Sequence, residues 1–183
     1  EQVVHGLPSE RKIENGDIVS IDLGTVFRGW HSDAAWSILV GEDKEKETFL
    51  ETGEEALWLG IEKALAGNRI GDISEAIQDK VEGAGYSVVR SLVGHGVGKS
   101  LHEEPEVPGY GKAGSGLILE EGMSLAIEVI YTASKPDVVL DRDGWTISSA
   151  DGSLAGLFEM TVIVGPPAGR AEREKAKVLT YAL

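Results

Sequence analysis

Two glutamates, each alone in an apolar segment, constrain this chain more than any other feature. Glu128 is the only charged residue between Met123 and Tyr131, and Glu159 is the only one between Leu157 and Val164. Both segments have the β-branched, apolar make-up of strands. A carboxylate in mid-strand is costly to bury unless it is paired or holds a cation. One such residue could be a core glutamate paired with an arginine; two ask for a shared explanation.

An aspartate pair upstream sharpens the point. Residues 17–24 alternate as a strand, with Val19, Ile21 and Leu23 on one side and Asp22 on the other with Ile18 and Ser20. Residues 30–40 form a second strand, and Arg28-Gly29 between them marks a hairpin. A turn centred between Phe27 and Arg28 would set Asp22 directly opposite Asp33. Like charges so placed destabilise a sheet unless they share a proton or a cation. Taken alone, the pair could also be two solvated surface aspartates. His95 lies in Gly94-His95-Gly96-Val97-Gly98, where flanking glycines allow a tight backbone and leave the imidazole free to reach a metal. By itself this triplet also fits an ordinary loop histidine. Together the five side chains balance: four carboxylates offset two divalent cations, and a neutral imidazole supplies the nitrogen. Oxygen-rich sites of this kind suit Mn, Fe, Co or Zn rather than a structural zinc.

The remaining segments supply a scaffold. A helix is predicted over residues 48–66, with Leu50, Leu57, Ile61, Ala64 and Leu65 on one face and Gly67-Asn68 as its stop. A second starts at Asp72 as cap, with Glu75 completing a capping box, and ends at Gly83 and Gly85. Its apolar face is Ile73, Ala76, Ile77, Val81 and Ala84. Residues 86–122 are rich in glycine and read as an irregular functional loop. Strands follow at about 123–131, 137–140 and 157–164, then a charged helical tail over about 170–177. The acidic tract from Glu42 to Glu47 reads as a solvated loop. This describes one α+β domain over residues 1–183, with two helices packed on a largely antiparallel sheet.

Composition narrows the function classes. Seventeen Lys+Arg against thirty-one Asp+Glu give a net charge of −14, which disfavours nucleic acid and anionic membrane surfaces as partners. The chain has no cysteine, so disulfides, zinc–thiolate sites and a cysteine nucleophile are all excluded. No apolar run reaches the length of a membrane span, and a cytoplasmic location is expected.

The same residues carry a resemblance. Val3-Val4-His5-Gly6-Leu7-Pro8, Asp17-Ile18-Val19-Ser20-Ile21-Asp22-Leu23-Gly24, His31-Ser32-Asp33, Gly94-His95-Gly96-Val97-Gly98, Leu101-His102-Glu103-Glu104-Pro105, Ile127-Glu128 and Phe158-Glu159-Met160-Thr161 stand in the order and spacing of type I methionine aminopeptidases. The chain resembles that family over essentially its whole length, most specifically from His95 to Pro105. The resemblance implies the pseudo-twofold pita-bread fold and removal of the initiator methionine from nascent chains. It implies two divalent ions, with Asp22 binding one, Asp33 and Glu159 bridging the pair, and His95 and Glu128 completing the other. A water bridging them would become the hydroxide nucleophile at neutral pH. Glu128 would take its proton and pass it to the leaving amine. His102 would hydrogen-bond the scissile peptide, His5 would orient substrate at the mouth, and Leu101 and Trp145 would line the methionine pocket. For Trp145, an ordinary core role is the competing reading.

The chain also departs from the pattern. Val129 replaces a usual proline after Glu128, and Ile130-Tyr131 look more like prolidases. Leu157 and Met160 replace a glutamine and a histidine around Glu159, thinning the polar support of that ligand. The family's domain starts well upstream of Val3. A complementing N-terminal segment, or a second copy at an open sheet edge, is therefore expected as partner. The competing functions are a prolidase or aminopeptidase P, a metal-free binding module of the same fold, and a split enzyme silent without its missing piece.

Overall fold

The computed structural model of the chain describes residues 1–169 and 175–180. In chain order the elements are β1 (Gln2–Val4), β2 (Ile18–Phe27), β3 (Trp30–Leu39), α1 (Lys44–Glu62), α2 (Ile70–Gly83), β4 (Ser87–Val88), β5 (Gly94–Gly96), β6 (Glu103–Val107), β7 (Ser124–Thr132), β8 (Val138–Leu140), β9 (Ile147–Ser149), β10 (Ala155–Ile163) and β11 (Lys177–Val178). The main sheet runs β2-β3-β10-β7-β5-β6, with β4 against β7 and β11 against β10; β1-β9-β8 form a second, three-stranded sheet. Among the described residues the strands of these sheets pair antiparallel throughout. The α+β expectation holds, as does a sheet covered on one side by two helices.

Several element boundaries differ from the sequence reading. α1 begins at Lys44, because the Asp43 carboxylate accepts hydrogen bonds from the Glu45 and Lys46 backbone amides. The acidic tract from Glu42 to Glu47 is thus largely the first turn of a helix, where negative charge complements the helix dipole, and not a loop. α2 begins at Ile70 rather than Asp72. Asp72 sits in its first turn, and its carboxylate accepts from the Arg69 amide at 2.6 Å. The stretch 86–122 is less irregular than expected, holding β4, β5 and β6. Of the predicted tail helix, residues 170–174 lie outside the described residues, and Lys177–Val178 pair with β10 as a strand.

The helices cover one face of the sheet. Phe49 and Leu57 of α1 and Ile73 and Ile77 of α2 are buried against Leu125, Ile127, Val129 and Tyr131 of β7 and Phe158 and Val162 of β10. Burying side chains of this size stabilises by roughly 1.5–3 kcal/mol each. Tyr131 joins helix to sheet, its hydroxyl donating to the Phe49 carbonyl at 2.6 Å. On the opposite face a smaller apolar cluster of Val3, Ala35, Val89, Ile130, Ala155 and Leu157 seats the three-stranded sheet. Strand alternation then dictates that Glu128 and Glu159, whose neighbours face the helices, point to this opposite side.

β2 lies at the end of the main sheet. The face that carries Ile21 and Leu23 is open, the two residues being 52% and 64% exposed. The helices stop short of it. Among the described residues no helix is long and apolar enough to cross a membrane.

Candidate metal centre

Five neighbouring strands each contribute one side chain to a single cluster. Asp22 comes from β2, Asp33 from β3, Glu159 from β10, Glu128 from β7 and His95 from β5, which is the order of the strands across the sheet. Ligand atoms of Asp22, Asp33 and Glu159 lie within 4.8 Å of one another, as do those of His95, Glu128 and Glu159, and those of Asp33, His95 and His102. Groups remote in sequence are thus assembled by strand register. Glu159 stands directly opposite Glu128, so the two lone glutamates form one cross-strand pair.

The aspartates meet differently from the expectation. Arg28 and Gly29 both adopt positive φ, 53° and 78°, forming a two-residue turn that pairs Phe27 with Trp30. The register is one step away from that of a turn centred before Arg28. Asp22 therefore faces Ala35, and Asp33 faces Gly24. The carboxylates are diagonal neighbours on one face, still close enough to share an ion. Asp33 and Glu159 are buried, Glu128 is half-buried, and Asp22, on the edge strand, is open to solvent on one side.

His95 lies on a strand rather than in a loop, and its glycine neighbours have a steric reason to be there. A Cβ on Gly94 would stand 2.5 Å from the Ala126 carbonyl oxygen, and one on Gly96 would stand 2.2 Å from that of Glu104. His95 Nδ1 donates to the Gly96 carbonyl at 2.9 Å. A carbonyl only accepts, so the proton sits on Nδ1, and Nε2 turns its lone pair toward Asp33 and Glu159 at 4.0 and 3.9 Å. Burial holds this imidazole below its usual pKa, keeping it neutral.

The carboxylates behave as a crowded anionic set. Burial, then the Asp33 charge, pushes Asp22 up. Burial pushes Glu128 well above its ordinary range, with Asp22 and Asp33 adding to it. Glu159 rises for the same first reason, with Glu128 the largest charge acting on it. Such a set retains protons or accepts cations. Four carboxylates and a neutral imidazole, in overlapping groups that share Glu159, fit divalent ions of the Mn, Fe, Co or Zn class.

The other predicted residues ring the cluster. The His102 ring packs edge-on against His95, centroids 4.3 Å apart. His5 is exposed at the end of β1, and its ring stacks on Trp145 at 4.7 Å. Trp145 is 56% exposed, so the core reading does not hold for it. A Cβ placed on Gly24 would meet Leu101 at 3.4 Å and the Asp33 carboxylate at 4.0 Å, which puts Leu101 beside that end of the cluster. A cavity of about 520 Å³ opens between β1 and β2, bounded by His5, Leu7, Ser20, Asp22 and Leu157. His31 lies on the Asp33 face of β3, and its amide donates to the Gly98 carbonyl at 2.7 Å, tying the hairpin to the His95 strand. Of the replacements near Glu159, Met160 is buried in the helix-side core and Leu157 under β1, so neither offers the cluster a polar group. Thr161, two residues past Glu159, is bonded to the Asp33 main chain. Thr161 closes the Phe158-Glu159-Met160-Thr161 block of the resemblance, which points to the segment but assigns this hydroxyl no role.

Comparison with known proteins is consistent with this geometry. Residues 1–166 match metallopeptidase family M24. A methionine aminopeptidase of Clostridium perfringens is 47% identical over 166 residues, 90% of this chain and 67% of that protein. Methionine aminopeptidase 1 of Bacillus subtilis is 44% identical, over 90% of this chain and 66% of its own. The chain thus spans about two thirds of the length of these curated relatives. The crystal structure of a methionine aminopeptidase from Thermotoga maritima superposes with a TM-score of 0.92 at 41% identity, covering 100% of this chain and 71% of that one. Prolidase from Pyrococcus furiosus superposes less closely, at 0.72 and 27%, over 98% of this chain and 45% of its own.

Proposed function

The chain belongs to metallopeptidase family M24, and from that membership we propose that it is the catalytic part of a methionine aminopeptidase. The carrying observation is the convergence of five donor side chains from five adjacent strands, in two overlapping groups that share Glu159. Asp22, Asp33 and Glu159 would hold one divalent ion, and His95 and Glu128 would complete a second with Asp33 and Glu159. Ions bound there would supply a Lewis acid for the scissile carbonyl and ease deprotonation of water.

The protein's own groups would do the rest. The Glu128 carboxylate has a raised proton affinity, suited to taking a proton from the attacking water and passing it to the departing amine. His102, against His95 and open to solvent, would donate to the oxygen of the scissile peptide as charge develops there. His5 and Trp145, stacked at the rim, would orient the substrate, while Leu101 would offer an apolar contact to the methionine side chain. Substrates would be peptides with N-terminal methionine followed by a small residue. The exposed apolar face of β2 and β3 supports a partner segment, or a second copy, covering that side.

The test is hydrolysis of Met-Ala-Ser against Ala-Pro by the purified chain supplied with Mn or Co, with metal content measured in parallel. Cleavage of the first alone is expected. Cleavage of Ala-Pro alone would move the assignment to a prolidase. A chain that takes up no divalent ion would leave a binding module of the same fold, and one that binds metal without turnover would be the silent fragment.

A further inference from the structure

The β3–β10 ladder carries a discontinuity beside the metal centre. Glu159 pairs with Ala35 and Met160 with Ala34, so one rung further on Thr161 stands across from Asp33. There the main-chain pairing ends. The Thr161 amide donates to the Thr180 hydroxyl at 3.0 Å, and the Leu179 amide donates to the Thr161 carbonyl at 2.9 Å. β11 then pairs with β10 from Val162 onward, in the place β3 would have continued to fill.

With the Thr161 main chain so engaged, its side chain closes the gap to β3. The hydroxyl accepts from the Asp33 amide at 2.8 Å and donates to the Asp33 carbonyl at 2.7 Å. Thr161 is fully buried, so water does not substitute for it. One oxygen atom therefore holds both main-chain polar groups of a buried aspartate where the strand has lost its ladder.

We propose that Thr161 is a positioning residue: its hydroxyl fixes the Asp33 backbone and thereby aims the Asp33 carboxylate into the cluster. The inference rests on the metal-centre reading above and deepens it. A carboxylate shared between two ligand groups tolerates little rotation, and partners that orient ligands typically govern metal affinity by 10- to 100-fold. The hydroxyl, and not the volume of the side chain, is the operative feature. Threonine and valine are nearly isosteric, while serine keeps the hydroxyl at smaller volume.

The test is calorimetric titration of the metal-free chain with Co(II) for wild type, T161S, T161C and T161V, with the metal-free melting temperature of each. T161V is expected to bind at least about tenfold more weakly, T161S within about threefold of wild type, and T161C between them. If T161V does not fold, the order of wild type, T161S and T161C still separates hydroxyl from volume. Affinity that follows volume, with T161V like wild type and T161S impaired, overturns the inference, as does equal affinity in all four. A wild type that takes up no Co(II) overturns the metal-centre reading itself, and the positioning role with it.

Discussion

At His95 one hydrogen bond decides which nitrogen faces the carboxylates, and that decision carries into pH dependence. With Nδ1 committed to the Gly96 carbonyl, the cluster meets a neutral acceptor, and nothing on the ring offsets the acids around it. Glu128 is raised chiefly by burial and then by the two aspartates, and Glu159 chiefly by burial, then by Glu128 and the aspartates. A carboxyl whose pKa is higher folded than unfolded stabilises most below its unfolded value, and that stability is lost as pH rises through the folded one. Above the ordinary glutamate value of 4.5, the metal-free chain should therefore become progressively less stable. Melting in EDTA at pH 5 and pH 8 checks this, with the lower temperature expected at pH 8 and reversed by Mn. E159Q removes the most affected carboxyl at nearly constant shape. It should raise metal-free melting at pH 8, where the folded chain must hold the Glu159 proton that the unfolded chain gives up, by about 2–4 °C for each kcal/mol of that cost relieved, while abolishing the shift that Mn produces. Unchanged melting in both arms would deny the crowding. The lone glutamates were legible because strand alternation makes a single inward charge conspicuous. The aspartate register was not, because it hangs on Arg28 taking a positive φ, a conformation arginine does not advertise.

Among the elements, the sheet separates stability from chemistry by its two faces. Tyr131 points to the helices and bonds the Phe49 carbonyl, so Y131F should cost about 1 kcal/mol, the worth of one hydrogen bond, without altering Co(II) affinity. Chemical denaturation and calorimetry together read that split; a loss of metal would show the faces to be coupled. G96A acts on both. Its Cβ would be 2.2 Å from the Glu104 carbonyl oxygen, forcing β5 from β6 and carrying His95 with it. Overpacking of this kind costs about 1–3 kcal/mol, and metal affinity should fall alongside the melting temperature. A glycine-rich stretch reads as loop because glycine opposes strand propensity, whereas here close backbone approach demands it. The true start of α1 is hidden in the sequence for a related reason. Charged residues at 42–47 lack apolar periodicity, and only the bonds accepted by Asp43 show that the helix has already begun.

For the molecule as a whole, the deciding imbalance is between a broad sheet and two helices. They cover its middle, and among the described residues nothing covers the outer face of the β2–β3 hairpin or pairs with its edge, with Ile21, Leu23, Phe27, Trp30 and Ile38 between 46% and 69% exposed. Alternation along β2 puts Ile21 and Leu23 on one face, but it does not say whether anything packs there, so their exposure was not legible in the sequence. Exposed apolar strands at an edge promote pairing with other chains, and a net charge of −14 opposes it. Salt should tip the balance. At about 0.5 M NaCl the repulsion is screened beyond a few ångströms, and sedimentation velocity should show association that is absent at low salt. Ile21 and Leu23 lie on the side of β2 away from Asp22, so I21K with L23K should keep the chain monomeric at high salt and leave Co(II) uptake intact. Monomers at every salt concentration would mean that the bare face is not adhesive. Loss of Co(II) uptake in the double variant would mean instead that the edge strand needs those side chains to hold Asp22 in the cluster.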